Sequence, residues 1–392
     1  MIVRNKYLEL TKALKIKQII VITGLRRVGK TTTIKYLLDK IKDKNKIYLD
    51  LERIEYRNIF SIENYGDIIK SLEIEGIDFS KKAYIALDEI QLVPNITSVI
   101  KYIYDTYNVK FLITGSSSFY MKNTFSESLA GRKRIFELWP LSFDEVIRFK
   151  NIDVNLPDFD LSPTNPHLIN KLNIYYKEYV NYGGFPEVVL AKNSNDKIAL
   201  LKDIYNSYIN LDIKFLADFT KANELYKLLK LFSARVGSKI DYSKISGISG
   251  INRHKVKEYL LFLESTFFIK LVRPFVTSPD REIALQNKLY FSDSGLLNIL
   301  GKINSGALFE NTIANQLSEI GEIRYYAKRT GQEIDFILNS STAFEVKETP
   351  SAHDLKILKN RAENIGLKKH ALVGKNVPDS GFHNFVWGGA IY

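Results

Sequence analysis

The stretch Gly24-Leu25-Arg26-Arg27-Val28-Gly29-Lys30-Thr31 constrains this chain more than any other. Two glycines bracket four residues and are followed by Lys-Thr, the Walker A pattern. An apolar run, Ile19-Ile20-Val21-Ile22, leads in, and a helical pattern from Thr32 to Leu38 leads away. Strand, glycine turn and helix in that order point successive backbone N–H groups inward around an anion, and the helix N-terminus adds its positive end. In such a cradle Lys30 reaches the β- and γ-phosphates of ATP, or the β-phosphate of ADP, and the Thr31 hydroxyl ligates Mg²⁺. Residues 24 to 32, with Thr32 opening the helix, are the expected nucleotide contacts. The plain alternative is an ordinary glycine-turned loop.

At 392 residues the chain exceeds one ordinary core, so roughly two to four domains are expected. No apolar run approaches the roughly 18 residues of a membrane span. The first residues carry Arg4, Lys6, Glu9 and Lys12 with no apolar core of a signal peptide. Without cysteine there is no disulfide framework and no thiolate metal site, which fits a cytoplasmic protein. A net charge of +12 favours a polyanionic partner such as nucleic acid. Lys-rich surfaces of thermophilic proteins give the same balance, so both readings stay open.

Downstream, Lys46 to Leu51 reads as a second strand. Ala83-Tyr84-Ile85-Ala86-Leu87-Asp88-Glu89 then forms an apolar strand ending in two carboxylates, the Walker B pattern. The two acids have different tasks: Asp88 holds Mg²⁺, directly or through water, and Glu89 polarises the attacking water. Otherwise they are an acidic pair ending a surface strand. Val109 to Gly115 is the next strand. Thr114 and the following Ser116 are candidates to sense the γ-phosphate or the lytic water, against the simpler reading of a turn. Arg132 and Arg134 precede another apolar strand, Ile135 to Trp139. A guanidinium at the γ-phosphate is worth on the order of 10³–10⁵ in rate, and Arg132 is the candidate finger; the alternative is a solvated arginine. Arg26 and Arg27 could meet phosphate or a neighbouring subunit of a homo-oligomer.

Strands alternate with helical patterns such as Ile96–Tyr104, so an α/β domain with a parallel sheet covered on both faces is expected over residues 1–150. P-loop proteins with a Glu after the Walker B Asp carry an extra strand between the loop strand and the Walker B strand, the ASCE arrangement. The stretch from Asn151 to Pro166, with three prolines, marks a boundary. Leu168–Val180 then reads as a helix that stops at Tyr182-Gly183-Gly184-Phe185-Pro186.

The Gly-Leu-Arg-Arg-Val-Gly-Lys-Thr loop, the Leu-Asp-Glu-Ile-Gln strand end, the Thr-Gly-Ser-Ser-Ser strand end and the Gly-Gly-Phe-Pro-Glu turn together resemble the AAA-like ATPases common in archaea. These P-loop proteins are related to the signal-transduction (STAND) ATPases, and the resemblance covers nearly the whole chain. It implies an ATPase core, a helical lid over residues 151–220, a winged helix over 221–276 and a nuclease-like domain over 277–392. In related ATPases a Gly-x-Pro of the lid approaches the nucleotide, which Gly184 and Pro186 match.

Residues 221–276 hold helical patterns at Lys221–Val236, Tyr242–Ser246 and Asn252–Glu264. In the third, Val256, Leu260 and Leu263 make an apolar stripe capped by Asn252. Phe267 to Val272 offers a wing. The exposed side of the third helix shows Arg253, His254, Lys255 and Lys257, suited to phosphates or base edges of DNA. Packing against protein is the alternative.

The last part reads helix (Ala307–Ile320), strand (Ile323–Ala327), a turn at Thr330-Gly331, strand (Glu333–Leu338), strand (Ala343–Lys347), helix (Leu355–Asn364) and strand (Ala371–Val373). Glu345 and Lys347, at i and i+2 of one strand, share a face. With Asp335, and Glu310 on the preceding helix, this order resembles the PD-(D/E)xK nuclease fold, although Glu333-Ile334-Asp335 stands where that motif has a proline. The resemblance implies that Asp335, Glu345 and the Val346 carbonyl hold Mg²⁺, with Lys347 activating water. The leading expectation is thus an ATPase acting as a switch on or with DNA. The alternatives are a nucleotide-regulated, metal-dependent nuclease and a slow nucleotide-gated scaffold.

Overall fold

The computed structural model describes residues 2–115, 129–213, 222–276, 285–328, 331–378 and 381–392. Ser116 and Thr330 lie outside the described residues. The chain divides into two compact units, Met1–Trp139 with Ser265–Phe267, and Pro140–Glu264 with Phe268–Tyr392. Among the described residues no helix is long and apolar enough to cross a membrane.

The first unit is built on five parallel strands: β1 (Ile19–Thr23), β2 (Lys46–Asp50), β3 (Ala83–Asp88), β4 (Val109–Gly115) and β5 (Lys133–Glu137). Their order is β2-β3-β4-β1-β5. Strands β1 and β4 are buried along their whole length, as the central strands of a parallel sheet must be. Ile19, Val21, Ile85, Leu87, Phe111 and Ile113 pack with Ile96, Ile100 and Ile103 of the helix Ile96–Thr106 and with Ile68 and Leu72 of the helix Tyr65–Ile74. As expected, β4 lies between the loop strand and the Walker B strand, with Val21 and Leu87 both level with Ile113. A buried lysine also crosses this core. Lys110 of β4 donates to the carbonyls of Ala13, Ile16 and Gln18 and so ties down the end of the helix Lys6–Ala13; burial lowers its pKa to about 8.

The second unit holds a seven-stranded sheet in the order β12-β11-β10-β9-β8-β6-β7. Its strands are β6 (Ile269–Pro274), β7 (Lys288–Phe291), β8 (Ile323–Ala327), β9 (Glu333–Leu338), β10 (Thr342–Lys347), β11 (Lys369–Gly374) and β12 (Val386–Trp387). Strands β8, β9 and β10 form an antiparallel meander, and β11 runs parallel to β10. The helix Ala352–Glu363 covers the sheet through Leu358 and Ala362, against Ile334, Ile337 and Ala343.

The apolar segment expected to offer a wing is β6, which runs antiparallel to β7 and parallel to β8 inside the large sheet. Its pairing with β8 is short, Arg273 with Arg324 and Pro274 with Tyr325, while four residues pair with β7. The partner β7 has only four residues, too short for its alternation to register as a strand.

The Gly183-Gly184 turn stops the helix Pro166–Tyr182 for a tertiary reason as well as a local one. Gly183 has φ +74, and a Cβ there would collide with the carboxylate of Asp293. That buried carboxylate accepts the N–H groups of Gly184 (2.8 Å) and Leu296 (3.0 Å), and burial pushes its pKa up to about 6.

Candidate functional site

The loop between β1 and the helix Lys30–Lys40 is shaped by its two glycines. Gly24 has φ +148 and sits so close to the backbone of β5's end that a Cβ would strike the Leu138 carbonyl. Gly29 has φ +97 at the N-cap, with open space where a side chain would be. The first glycine therefore permits a close approach and the second a left-handed turn. Leu25 and Val28 are buried, which pins the loop, while Arg26 is half-buried and Arg27 exposed with φ +63. Lys30 is only 4% exposed, and its ammonium donates to the carbonyls of Gly24 (3.1 Å) and Leu25 (2.8 Å). The loop thus curls around a cation at a helix N-terminus, an arrangement suited to anions. Thr31 is half-buried and Thr32 exposed in the first turn. From outside, Arg4 donates to the carbonyls of Val28 (3.0 Å) and Trp139 (2.8 Å), bracing the loop against the segment after β5.

Asp88 ends β3 at the sheet edge where β1 gives way to the loop. Its two carboxylate oxygens take hydroxyl protons from different neighbours: Tyr48 of β2 (2.7 Å) and Thr114 of β4. The Thr114 oxygen also accepts the backbone N–H of Glu89 (3.1 Å). Thr114 is fully buried, and its hydroxyl links the two acids. Burial, then the hydrogen bond to Asp88, holds the Tyr48 phenol well above its usual range. Glu89 adopts φ +56, a left-handed backbone for a non-glycine residue, and its carboxylate accepts the side-chain amide of buried Gln91. Glu52, after β2, has its pKa raised first by burial and then by the charges of Glu89 and Asp50, so this edge is strongly acidic.

Arg132 is a correction. It precedes β5, whose first residue Lys133 is level with Ile19, the first residue of β1. The loop follows the last residue of β1, about 16 Å away at 3.3 Å per residue. Arg132 instead makes a bidentate pair with Asp105 (2.8 and 3.0 Å), so it is no finger for its own chain's loop. Arg134 pairs with Glu9 at 2.9 Å. Pro186 opens the helix Pro186–Leu190 in the second unit, half-buried.

In the second unit the meander brings Asp335 and Glu345 to neighbouring strands, and Glu310 projects from the helix Ser305–Ile320. Asp335 accepts the Val346 N–H (2.8 Å), so it is the amide of Val346 that meets this acid. Lys347 bonds Glu345 Oε1 at 2.8 Å, with Arg361 at 3.7 Å from the same oxygen. Glu310 Oε1 accepts the hydroxyl of buried Tyr290 at 2.7 Å. Burial, then the Asp335 charge, pushes the carboxyls of Glu310 and Glu345 up to about 7; burial also raises Asp335. Among the described residues, no three acidic or histidine side chains converge tightly enough to hold a metal ion.

The helix Arg253–Ser265 buries Val256, Leu260 and Leu263 as its spacing required, and Asn252 caps it by accepting the His254 N–H (2.8 Å). Arg253, His254 and Lys257 are exposed and Lys255 half-buried. Tyr48, Gln91, Arg4 and Lys288 were not singled out by sequence. Only Gln91 carried a signal, its place two residues past the Walker B acid.

Residues 16–147 match the family model described as an AAA domain. Two domains of unknown function match 173–307 (DUF8612) and 305–386 (DUF4143). An uncharacterized protein of Haemophilus influenzae is 27% identical over 96% of this chain and 94% of its own length. One from Methanocaldococcus jannaschii is 25% identical over 93% of this chain and 83% of its own. Among solved structures, a Walker-type ATPase of Pyrococcus abyssi aligns with TM-score 0.47 and 15% identity, over 76% of this chain and 96% of that one. The Aeropyrum pernix ORC1 protein, solved in complex with DNA, aligns with TM-score 0.33 and 12% identity over 76% and 92%.

Proposed function

From the premise that residues 16–147 form a P-loop ATPase domain, on which motif, sheet order and family model agree, we propose that the protein hydrolyses ATP to ADP and phosphate as a nucleotide-dependent switch. One observation carries this reading: buried Lys30 inside the glycine loop and the Asp88–Glu89 pair stand at the same edge of one parallel sheet. The Thr31 hydroxyl and Asp88 carboxylate are hard oxygen donors of the kind Mg²⁺ takes, and the ion would neutralise phosphate charge. Lys30 supplies positive charge at the β- and γ-phosphates. The loop amides orient the phosphates, and the left-handed backbone at Glu89 sets its carboxylate to accept the proton of the attacking water. Tyr48 and Thr114 hold Asp88 in place by donating to both of its oxygens.

Calorimetry with ATP and Mg²⁺ tests this directly. Binding is expected for the unmodified chain and its loss for Lys30→Ala. Glu89→Gln should bind normally and turn over at least about 10²-fold more slowly. Unimpaired hydrolysis by that variant would remove Glu89 from its role.

We also propose that the helix Arg253–Ser265 contacts DNA through Arg253, Lys255 and Lys257. Support comes from the exposure of Arg253 and Lys257 beside His254 on one short stretch. Duplex binding should weaken with salt, and the triple alanine variant should flatten that dependence. Identical salt slopes for both proteins would refute the contact.

A further inference from the structure

The acidic pocket of the second unit contains a cation of its own. Lys288 of β7 is 4% exposed, and its ammonium lies 2.5 Å from Glu333 Oε1 and 3.9 Å from Glu310 Oε1. It also stands over the ring of Tyr325, 5.4 Å from the centroid. One oxygen of each acid in the pocket is already engaged. Glu310 Oε1 serves Tyr290 and Lys288, Asp335 Oδ2 serves the Val346 N–H, and Glu345 Oε1 serves Lys347 and Arg361. Glu345 Oε2 is buried without a partner. The pocket is covered too: the chain at Gly237 pairs with β7 through its N–H to the Leu289 carbonyl, and a Cβ on Gly237 would stand 2.9 Å from Glu310 Oε1.

We propose that the Lys288 ammonium is the resident cation of this pocket and takes the place a divalent metal would need, so that the C-terminal sheet carries no metal-dependent cleavage centre. A lysine rooted in a buried strand cannot dissociate as an ion does. Its charge satisfies Glu310 and Glu333 permanently, and a second cation brought among the same carboxylates meets repulsion from it. Lys347 and Arg361 neutralise Glu345 in the same way. The result is an ionic cluster that holds β7, β9, β10 and the helix Ser305–Ile320 together. This inference stands apart from the ATPase reading, since it concerns the second unit alone.

The test is Mn²⁺ titration of the full chain without nucleotide, followed by electron paramagnetic resonance, with Asp88→Asn present to silence the other candidate metal ligand. That parent should bind no Mn²⁺ up to about 1 mM. Adding Lys288→Met, which keeps the stem and removes the charge, should create one site at least about tenfold tighter than anything in the parent. The site should vanish again with Glu345→Gln and be absent in Lys288→Arg. Two results would overturn the proposal: stoichiometric Mn²⁺ in the parent that is lost on Asp335→Asn, or a folded Lys288→Met chain that binds no better than its parent. If Lys288→Met fails to fold, the parent titration still decides, because an occupied pocket there contradicts a resident lysine and an empty one agrees with it.

Discussion

Replacing Thr114 with valine should weaken both the fold and the nucleotide site, because one buried hydroxyl serves two clients. It donates to Asp88 and accepts from the Glu89 N–H, and nothing of the residue is exposed. Valine matches its shape, so no cavity is opened. The lost bond to a charged acceptor is worth about 1.5–3 kcal/mol, and leaving the Glu89 N–H unsatisfied costs about 1–3 kcal/mol. The added methyl returns about 0.8 kcal/mol. A net destabilisation of about 2–5 kcal/mol is expected, while Tyr48 still holds the other oxygen of Asp88. Urea unfolding measures this, and hydrolysis with ATP titration divides the effect between binding and turnover. An orienting role lowers kcat with KM little changed, whereas a residue that touched phosphate would raise KM as well. Thr114→Ser keeps the hydroxyl and should restore most of the loss. A double cycle with Tyr48→Phe should show coupling of about 0.5 kcal/mol or more, because both hydroxyls share one carboxylate. If Thr114→Val unfolds within about 0.5 kcal/mol of the unmodified chain and hydrolyses at the same rate, this account of the acidic edge is wrong.

Gly24→Ala should be far more damaging than Gly29→Ala, since the first strikes the Leu138 carbonyl while the second meets open space and suffers only backbone strain of about 1–2 kcal/mol; equal losses in unfolding experiments would contradict the geometry. Arg132→Ala should alter stability by no more than about 1 kcal/mol and leave dilute-solution turnover within about twofold, because its partner is an exposed Asp105; a thousandfold fall would restore it as a finger. Stability should also depend on pH in an unusual direction. Asp293 titrates at about 6 in the fold against about 4 when unfolded, so the native state holds the extra proton in between, and stability falls by about 2–3 kcal/mol as pH rises through that window. Glu310 and Glu345, raised to about 7, extend the decline towards neutrality. Denaturation at pH 5 and pH 8 checks the sign, and greater stability at pH 8 would refute it.

Much of the molecule was legible from local pattern. The loop 24–31, the Walker B strand and the helices Pro166–Tyr182, Ala222–Ser233, Tyr242–Ser249, Arg253–Ser265, Ser305–Ile320 and Ala352–Glu363 lie where periodicity put them, within a few residues at their ends. Each is specified by neighbours close in sequence: glycines that permit a turn, apolar residues at spacing two or near 3.6. The strand β4 also fell between β3 and β1 as expected. The helix Arg253–Ser265 buried the residues its stripe named.

What the chain encodes along its length is therefore a phosphate-shaped loop on a parallel sheet and a run of amphipathic helices, because those depend on contacts a few residues apart. Folding in three dimensions decided the rest: that Arg132 faces away from the loop, that Thr114 and Tyr48 grip the same aspartate, that β6 joins the large sheet, and that Lys288 enters an acidic pocket. All four turn on the register between strands distant in sequence, where a shift of one residue sends a side chain to the opposite face.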